Sequence, residues 1–270
     1  MLRTRIYTVL VLLPLFVAAL FYTSAAVWAL LLAPLVLAGA WEWGVLAGWR
    51  PAPRMVYALV IAVSGVLLWR FGYDDAQSAR HISNIILGLS LLFWLVVAPL
   101  WLAKGWRVQA PLAMAVAGAI LLVPLWLALV QLHAQPAILL MLMVIVWISD
   151  TAAYFCGKRW GRRKLAVTIS PGKTWEGVFG AMAGVAVYYF LVSASGLAGH
   201  AVLQGITGCG VFLLLTVLGI EGDLFESWIK RTAGVKDSGT VFPGHGGVLD
   251  RIDALTASIP AAAWLLSGAV

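Results

Sequence analysis

"PLAMAVAGAILLVPLWLALVQL", residues Pro111–Leu132, runs without a single charged side chain. A helix of this length covers the roughly 30 Å of a bilayer's hydrocarbon core. The rest of the chain repeats the pattern. Spans are expected at Ile6–Tyr22, Ala25–Ala47, Met55–Trp69, Ile82–Leu102, Pro111–Leu132, Ala137–Phe155, Trp175–Val192, Val202–Ile220 and Ala254–Val270. In lipid the backbone must satisfy its own hydrogen bonds, so these nine are read as helices. The start resembles a signal peptide, with Arg3 and Arg5 before an apolar run. Apolar sequence resumes at once after "TSA", so it is read as a retained helix.

Composition agrees. Of the 270 residues, 63% are hydrophobic and 11% charged, with a mean hydropathy of +0.97. A soluble domain carries about 25% charged residues. So few charges cannot cover a water-facing surface of this size, which excludes an ordinary soluble globular protein. The fold class is therefore all-α and polytopic. Residues 1–135 form an N-terminal set of membrane helices, and residues 136–270 a C-terminal set carrying the site.

With a cytoplasmic N-terminus and nine crossings, every Lys and Arg except Arg70 and Arg80 falls on the inner side. That asymmetry is the positive-inside pattern. The net charge of +7 is thus accounted for by topology and anionic headgroups, and no nucleic acid is implied. The two cysteines, Cys156 and Cys209, are expected at opposite ends of their helices, with no metal-ligand spacing.

The acidic residues carry more. Only Glu42, Asp74 and Asp75 precede residue 150; the other eight acids all fall at the cytoplasmic side. Asp150, in "VWISDTAAYF", lies about two turns inside a helix end, where an ionisable group is a functional candidate. Glu42, in "WEW", has a weaker case beside an inner end. Asp223 and Glu226 are three apart, as are Asp250 and Asp253, so each pair shares a helical face. Like charges that close repel unless a cation offsets them. Hard oxygen ligands without His or Cys pairs suggest Mg²⁺, which takes one or two protein carboxylates plus substrate phosphates. The plainer reading pairs these acids with Lys230, Arg231 and Arg251.

Between the pairs lies "PGHGG", Pro243–Gly247, whose glycines let backbone N–H groups approach an anion before a helix N-terminus. His245 there could hydrogen-bond a phosphate or act as an acid. "SPGKTWEG", Ser170–Gly177, has the same character. It lacks the GxxxxGK[ST] spacing of a P-loop, and no strand is expected beside it. Two anion-binding loops and two carboxylate pairs at one membrane face point to metal-dependent handling of phosphates beside lipid.

The stretch Ser227–Asp253 resembles the signature of the phosphatidate cytidylyltransferases, the CDP-diacylglycerol synthases. It is carried by Ser227, Ile229, Lys230, Arg231, Lys236, Asp237, Gly239, Phe242, Pro243, His245, Gly246, Gly247, Val248, Asp250, Arg251, Ile252 and Asp253. "SDTAAYFCGKRWGRRKL" (Ser149–Leu165), "SPGKTWEG" and "GDLFES" (Gly222–Ser227) resemble further segments of that family in order. The resemblance implies a multi-pass enzyme of the bacterial inner membrane, with its site on the cytoplasmic face. Its substrates would be CTP and phosphatidate, and its products CDP-diacylglycerol and pyrophosphate.

The phosphatidate phosphate is already an anionic nucleophile, so the chemistry needs positioning and neutralisation of charge. On this reading Mg²⁺ (or Mn²⁺, with a second metal allowed) is held by Asp223 and Asp250, with Glu226 and Asp253 next. Lys173, His245, Lys230, Arg231 and Asp237 join Asp223 and Asp250 as catalytic candidates. Ser170, Lys173, Thr174, Lys230, Arg231, Lys236, Gly246, Gly247 and Arg251 are candidates for substrate contacts. Asp250 is expected at a wet helix end with little part in packing. A homodimer is allowed. A transporter would scatter its ionisable residues across the midplane, and the DGxxAR…GxxxDxxxD pattern of the CDP-alcohol phosphotransferases is missing.

Overall fold

Prolines and small polar residues set where the helices start. Ser24 accepts the N–H of Val27 before the helix that starts at Ala25, and Pro51, Pro111 and Pro136 open later helices, where a missing N–H costs nothing. In this computed structural model, which describes residues 2–74, 76–197, 199–241 and 246–267, ten α-helices follow in order. They are α1 (Leu2–Tyr22), α2 (Ala25–Leu46), α3 (Pro51–Asp74), α4 (Ala76–Leu92), α5 (Ala98–Lys104), α6 (Pro111–Leu132), α7 (Pro136–Trp160), α8 (Trp175–Ala194), α9 (Gly205–Thr232) and α10 (Leu249–Ser267). A π-helical turn, Phe93–Val97, joins α4 to α5 into one rod. Pro99, which cannot donate to the preceding turn, gives that irregularity its physical reason. Gly105, with φ 62°, ends the rod in a left-handed cap.

Seven helices among the described residues are long and apolar enough to cross a membrane. Their outward faces carry large apolar side chains such as Leu30, Leu112 and Phe190, as lipid contact requires. Helix α10 is not among the seven, because Asp250, Arg251 and Asp253 crowd its first turns. Yet it is the most enclosed: residues 254–263 are all buried, packed against α9, α6 and α4. Its Ala, Ser and Thr residues let neighbouring backbones approach, the usual route to tight packing where lipid removes the hydrophobic drive. Trp94 seals the contact by donating to Thr256 O at 3.1 Å. Trp28 and Trp43 likewise fasten α2 to α6 through Leu129 O and Met114 O.

Two departures from the expected layout shape the site. Helix α9 continues three turns past Ile220, so it carries Asp223 and Glu226, as their spacing implied, and Lys230 as well. Lys230 and Arg231 in its last turn suit the negative end of the helix dipole. A short antiparallel hairpin also stands where no strand was expected. Strands β1 (Lys164–Ala166) and β2 (Ser170–Thr174) pair Lys164 with Thr174 and Ala166 with Ser170. This polar segment sits between two helix ends, where water can satisfy the open backbone edges that hydrocarbon cannot.

Candidate active site

The hairpin forms one wall of a cleft of about 480 Å³. Helix α7 contributes Asp150, Tyr154 and Lys158, the hairpin Ser170, Lys173 and Thr174, and α9 Asp223. Local chemistry holds the hairpin in place. Thr174 caps α8, its Oγ1 accepting the N–H of Gly177 at 3.1 Å. Glu176 accepts the N–H groups of Arg162 and Arg163, fixing the exit from α7. Gly157, Gly161 and Gly177 surround the Thr174 hydroxyl so closely that a Cβ at any of them would press on it.

Inside the cleft, Lys173 Nζ lies 2.7 Å from Asp223 Oδ2 and 3.5 Å from the carbonyl of Ile220. Ser227 donates to the other Asp223 oxygen at 3.3 Å. Asp223 is 34% exposed, so its carboxylate stays open to a ligand. Asp150 shares the cleft, and its charge repels that of Asp223 while Lys173 and Arg251 oppose it.

Asp223, Glu226, Ser227 and Lys230 fall at i, i+3, i+4 and i+7 on one face of α9, which links the cleft to a second cluster. There Lys230 Nζ lies 2.5 Å from Glu226 Oε2 and 2.5 Å from Asp250 Oδ1. Asp250 Oδ2 accepts from Gly247 N (2.8 Å), Ser238 N (2.9 Å) and Ser238 Oγ (3.0 Å). Asp250 was expected at a wet helix end; its side chain is only 7% exposed. Ser238 and Gly247 close over it because the carboxylate collects their donors. Asp253 is reached through Gly222, whose missing side chain lets α9 meet the Asp253 backbone. Asp253 Oδ1 accepts the N–H of Ala254.

The glycine-rich loop also serves a different partner from the expected one. Glu42 Oε1 accepts the N–H of Val248 at 3.0 Å, and Oε2 accepts the N–H of Leu249 at 2.9 Å. A carboxylate of α2 thus occupies the N-terminus of α10, the place foreseen for a phosphate. Gly247 gives its N–H to Asp250, and a Cβ there would strike Ser238 and Glu42. Gly246 adopts φ 85°, a left-handed turn that glycine favours. The Gly247 N–H is thus taken by a carboxylate of the chain, and that same carboxylate lies where a Cβ on Gly246 would stand.

Of the other expected residues, Arg231 donates to Ile169 O (3.3 Å) and Val235 O (3.0 Å), tying the hairpin turn to the end of α9. Lys236, Asp237 and Arg251 are exposed. His245, with Phe242, Pro243 and Gly244, lies outside the described residues. Asp223 and Asp250, expected to share one cation, sit in separate ion pairs on Lys173 and Lys230. Glu42 had only a weak claim in the sequence and Ser238 none. The available signal was an acid between two tryptophans in an otherwise apolar helix.

Taken together, Asp223, Glu226, Asp250 and Asp253 face two ammonium groups, those of Lys173 and Lys230. Asp150 adds a fifth carboxyl group at the cleft, opposed by Lys173 and Arg251. A set of hard oxygen donors suits a cation such as Mg²⁺. No group of three or more His, Cys, Asp or Glu residues among those described is arranged as a ready-made metal site. Mg²⁺ does not need one when phosphates complete its shell.

A model of the cytidylyltransferase family matches residues 3–268. The chain belongs to that family. Its relatives include the phosphatidate cytidylyltransferase of Pseudomonas aeruginosa, 38% identical over 98% of this chain and 97% of that protein. That of Haemophilus influenzae is 35% identical, with 96% of each chain covered. The Brucella suis enzyme of the same name is 47% identical over 133 residues, 48% of this chain and 46% of that protein. The match extends through both halves of the chain, and α2 lies within it.

Proposed function

We propose that the chain is a phosphatidate cytidylyltransferase: it joins CTP to phosphatidate, giving CDP-diacylglycerol and pyrophosphate. The observation that carries this reading is similarity to enzymes of that name along almost the whole chain, with the signature intact. A phosphate oxygen of phosphatidate attacks the α-phosphorus of CTP. The bond from that phosphorus to the β-phosphate oxygen breaks, and pyrophosphate leaves with the electron pair. Lys173 and Lys158 line the cleft where a triphosphate would need cations, and Ser170 adds a hydroxyl.

Asp223 and Asp150, which line the same cleft, would hold Mg²⁺ or Mn²⁺ together with substrate phosphates. The metal would neutralise charge as the two anions meet and the pyrophosphate departs. Lys173, now paired with Asp223, would turn to a phosphate when that carboxylate is otherwise engaged. A metal on Asp250, as the signature resemblance suggests, would have to replace Lys230, with Glu226 and Asp253 nearby.

We further read the N-terminus and the cleft as cytoplasmic, with nine crossings of a bacterial inner membrane, supported by the distribution of Lys and Arg. The deciding assay supplies purified protein in detergent with α-³²P-labelled CTP, phosphatidate and Mg²⁺. Label should enter the lipid phase as CDP-diacylglycerol with release of unlabelled pyrophosphate. No lipid label with phosphatidate, under conditions where another acceptor is labelled, would reject the reading.

A further inference from the structure

We propose that Glu42 is a positioning residue for the cytidylyl-transfer site: from the N-terminal half of the chain it clamps the signature loop and, through Ser238, sets the carboxylate of Asp250. This rests on the activity proposed above. Glu42 is 3% exposed, on a helix otherwise free of charged side chains. Its carboxylate spends both oxygens on three donors of the C-terminal half, the N–H groups of Val248 and Leu249 and the hydroxyl of Ser238. The first two are helix-terminal donors with no partner inside α10, so an anion there is worth more than an ordinary acceptor.

Ser238 makes the coupling specific. It is 4% exposed, and its single hydroxyl proton lies within reach of two carboxylates, Glu42 Oε2 at 2.9 Å and Asp250 Oδ2 at 3.0 Å. Its oxygen in turn accepts the N–H of Asp250 at 3.3 Å. The chain of contacts runs from Glu42 through Ser238 and Asp250 to Lys230 and Glu226, and so along α9 to Asp223 in the cleft. Two glycines of the signature have this carboxylate as their neighbour. A Cβ on Gly239 or Gly247 would collide with Glu42. Part of the glycine content of the motif therefore makes room for Glu42.

An apolar helix could pack against α10 without an acid, so a packing role and a positioning role separate experimentally. Glu42→Gln keeps the volume but turns an NH₂ group toward donors. Glu42→Asp keeps two acceptor oxygens on a stem one methylene shorter. If Glu42 positions the loop, kcat should fall at least tenfold in Glu42→Gln and less in Glu42→Asp, with KM for CTP changed under threefold in both. If it only fills space, Glu42→Gln should equal or exceed Glu42→Asp.

Both variants are measured per folded protein, by monodisperse elution and thermal midpoint in detergent. Ser238→Ala, a smaller change, covers the case in which either fails to fold, and should lower kcat about tenfold. The double variant Glu42→Gln/Ser238→Ala should be no worse than the weaker single. Unchanged kcat in Ser238→Ala, or Glu42→Gln at least as active as Glu42→Asp, overturns the proposal. Turnover of the parent protein in the same assay distinguishes this outcome from failure of the activity assignment.

Discussion

Replacing Lys230 by Met tests whether the chain's own ammonium holds the buried carboxylates together. Methionine keeps most of the stem's volume and removes only the charge. Lys230 is 8% exposed, and its partners Glu226 and Asp250 have side chains 3% and 7% exposed. Contacts of 2.5 Å on either side place those two oxygens no more than 5.0 Å apart, the sum of the distances. With an effective dielectric constant of about 20, two negative charges at that separation repel by about 3 kcal/mol. Removing one partner of a buried ion pair costs about 3–5 kcal/mol, so the two routes agree.

The thermal midpoint in detergent, followed by tryptophan fluorescence from the 14 Trp residues, should fall on the order of 10 °C. Glu226→Gln in the Lys230→Met background removes the repulsion and should recover at least half of that loss. If Asp250 and Glu226 bind Mg²⁺ when Lys230 is absent, millimolar Mg²⁺ should restore the midpoint of Lys230→Met and leave that of the double variant lower. A midpoint for Lys230→Met within 2 °C of the parent in EDTA would refute the reasoning, since the carboxylates would then have another counter-charge.

Asp223→Asn retains the shape of the cleft's most open carboxylate and removes its charge. It should lower kcat on the order of 10² or more and shift the Mg²⁺ requirement upward; full turnover of the parent in excess EDTA would sink the metal reading. Lys173→Met removes the ammonium beside Asp223, and loss of a charged contact of about 1.5–3 kcal/mol should raise KM for CTP roughly tenfold or more. An unchanged KM would place the triphosphate elsewhere. A reporter fused after Val270 should read as extracytoplasmic while one at the N-terminus reads as cytoplasmic; a cytoplasmic signal at both ends would reject nine crossings.

The membrane class was legible because hydrocarbon imposes one demand on every span, a long apolar run with its backbone satisfied internally. Helices α6 and α8 accordingly begin at the expected residues, Pro111 and Trp175. The end of α9 was not legible. Hydropathy drops at Glu221, but the backbone continues as helix to Thr232 because packing, not hydropathy, decides it there. Hydropathy also undervalued α10, whose small residues owe their burial to neighbours. The hairpin at Lys164–Thr174 was missed because a polar segment between helix ends has no periodicity strong enough to announce two short strands.

The chemistry divides the same way. Spacing alone placed Asp223 with Glu226 on one helical face, since period 3.6 is a local property of the chain. That Lys230 joins them follows only from the extension of α9. The motif residues were likewise readable as a set. Which acid meets which donor was not, because Glu42 and Leu249 are 207 residues apart along the chain and 2.9 Å apart across a hydrogen bond. A carboxylate and a phosphate make the same request of a glycine-rich loop before a helix: open backbone N–H groups and room to approach. Sequence determined that an anion belongs at the start of α10. Only the packing of α2 against that helix decided that the anion is Glu42.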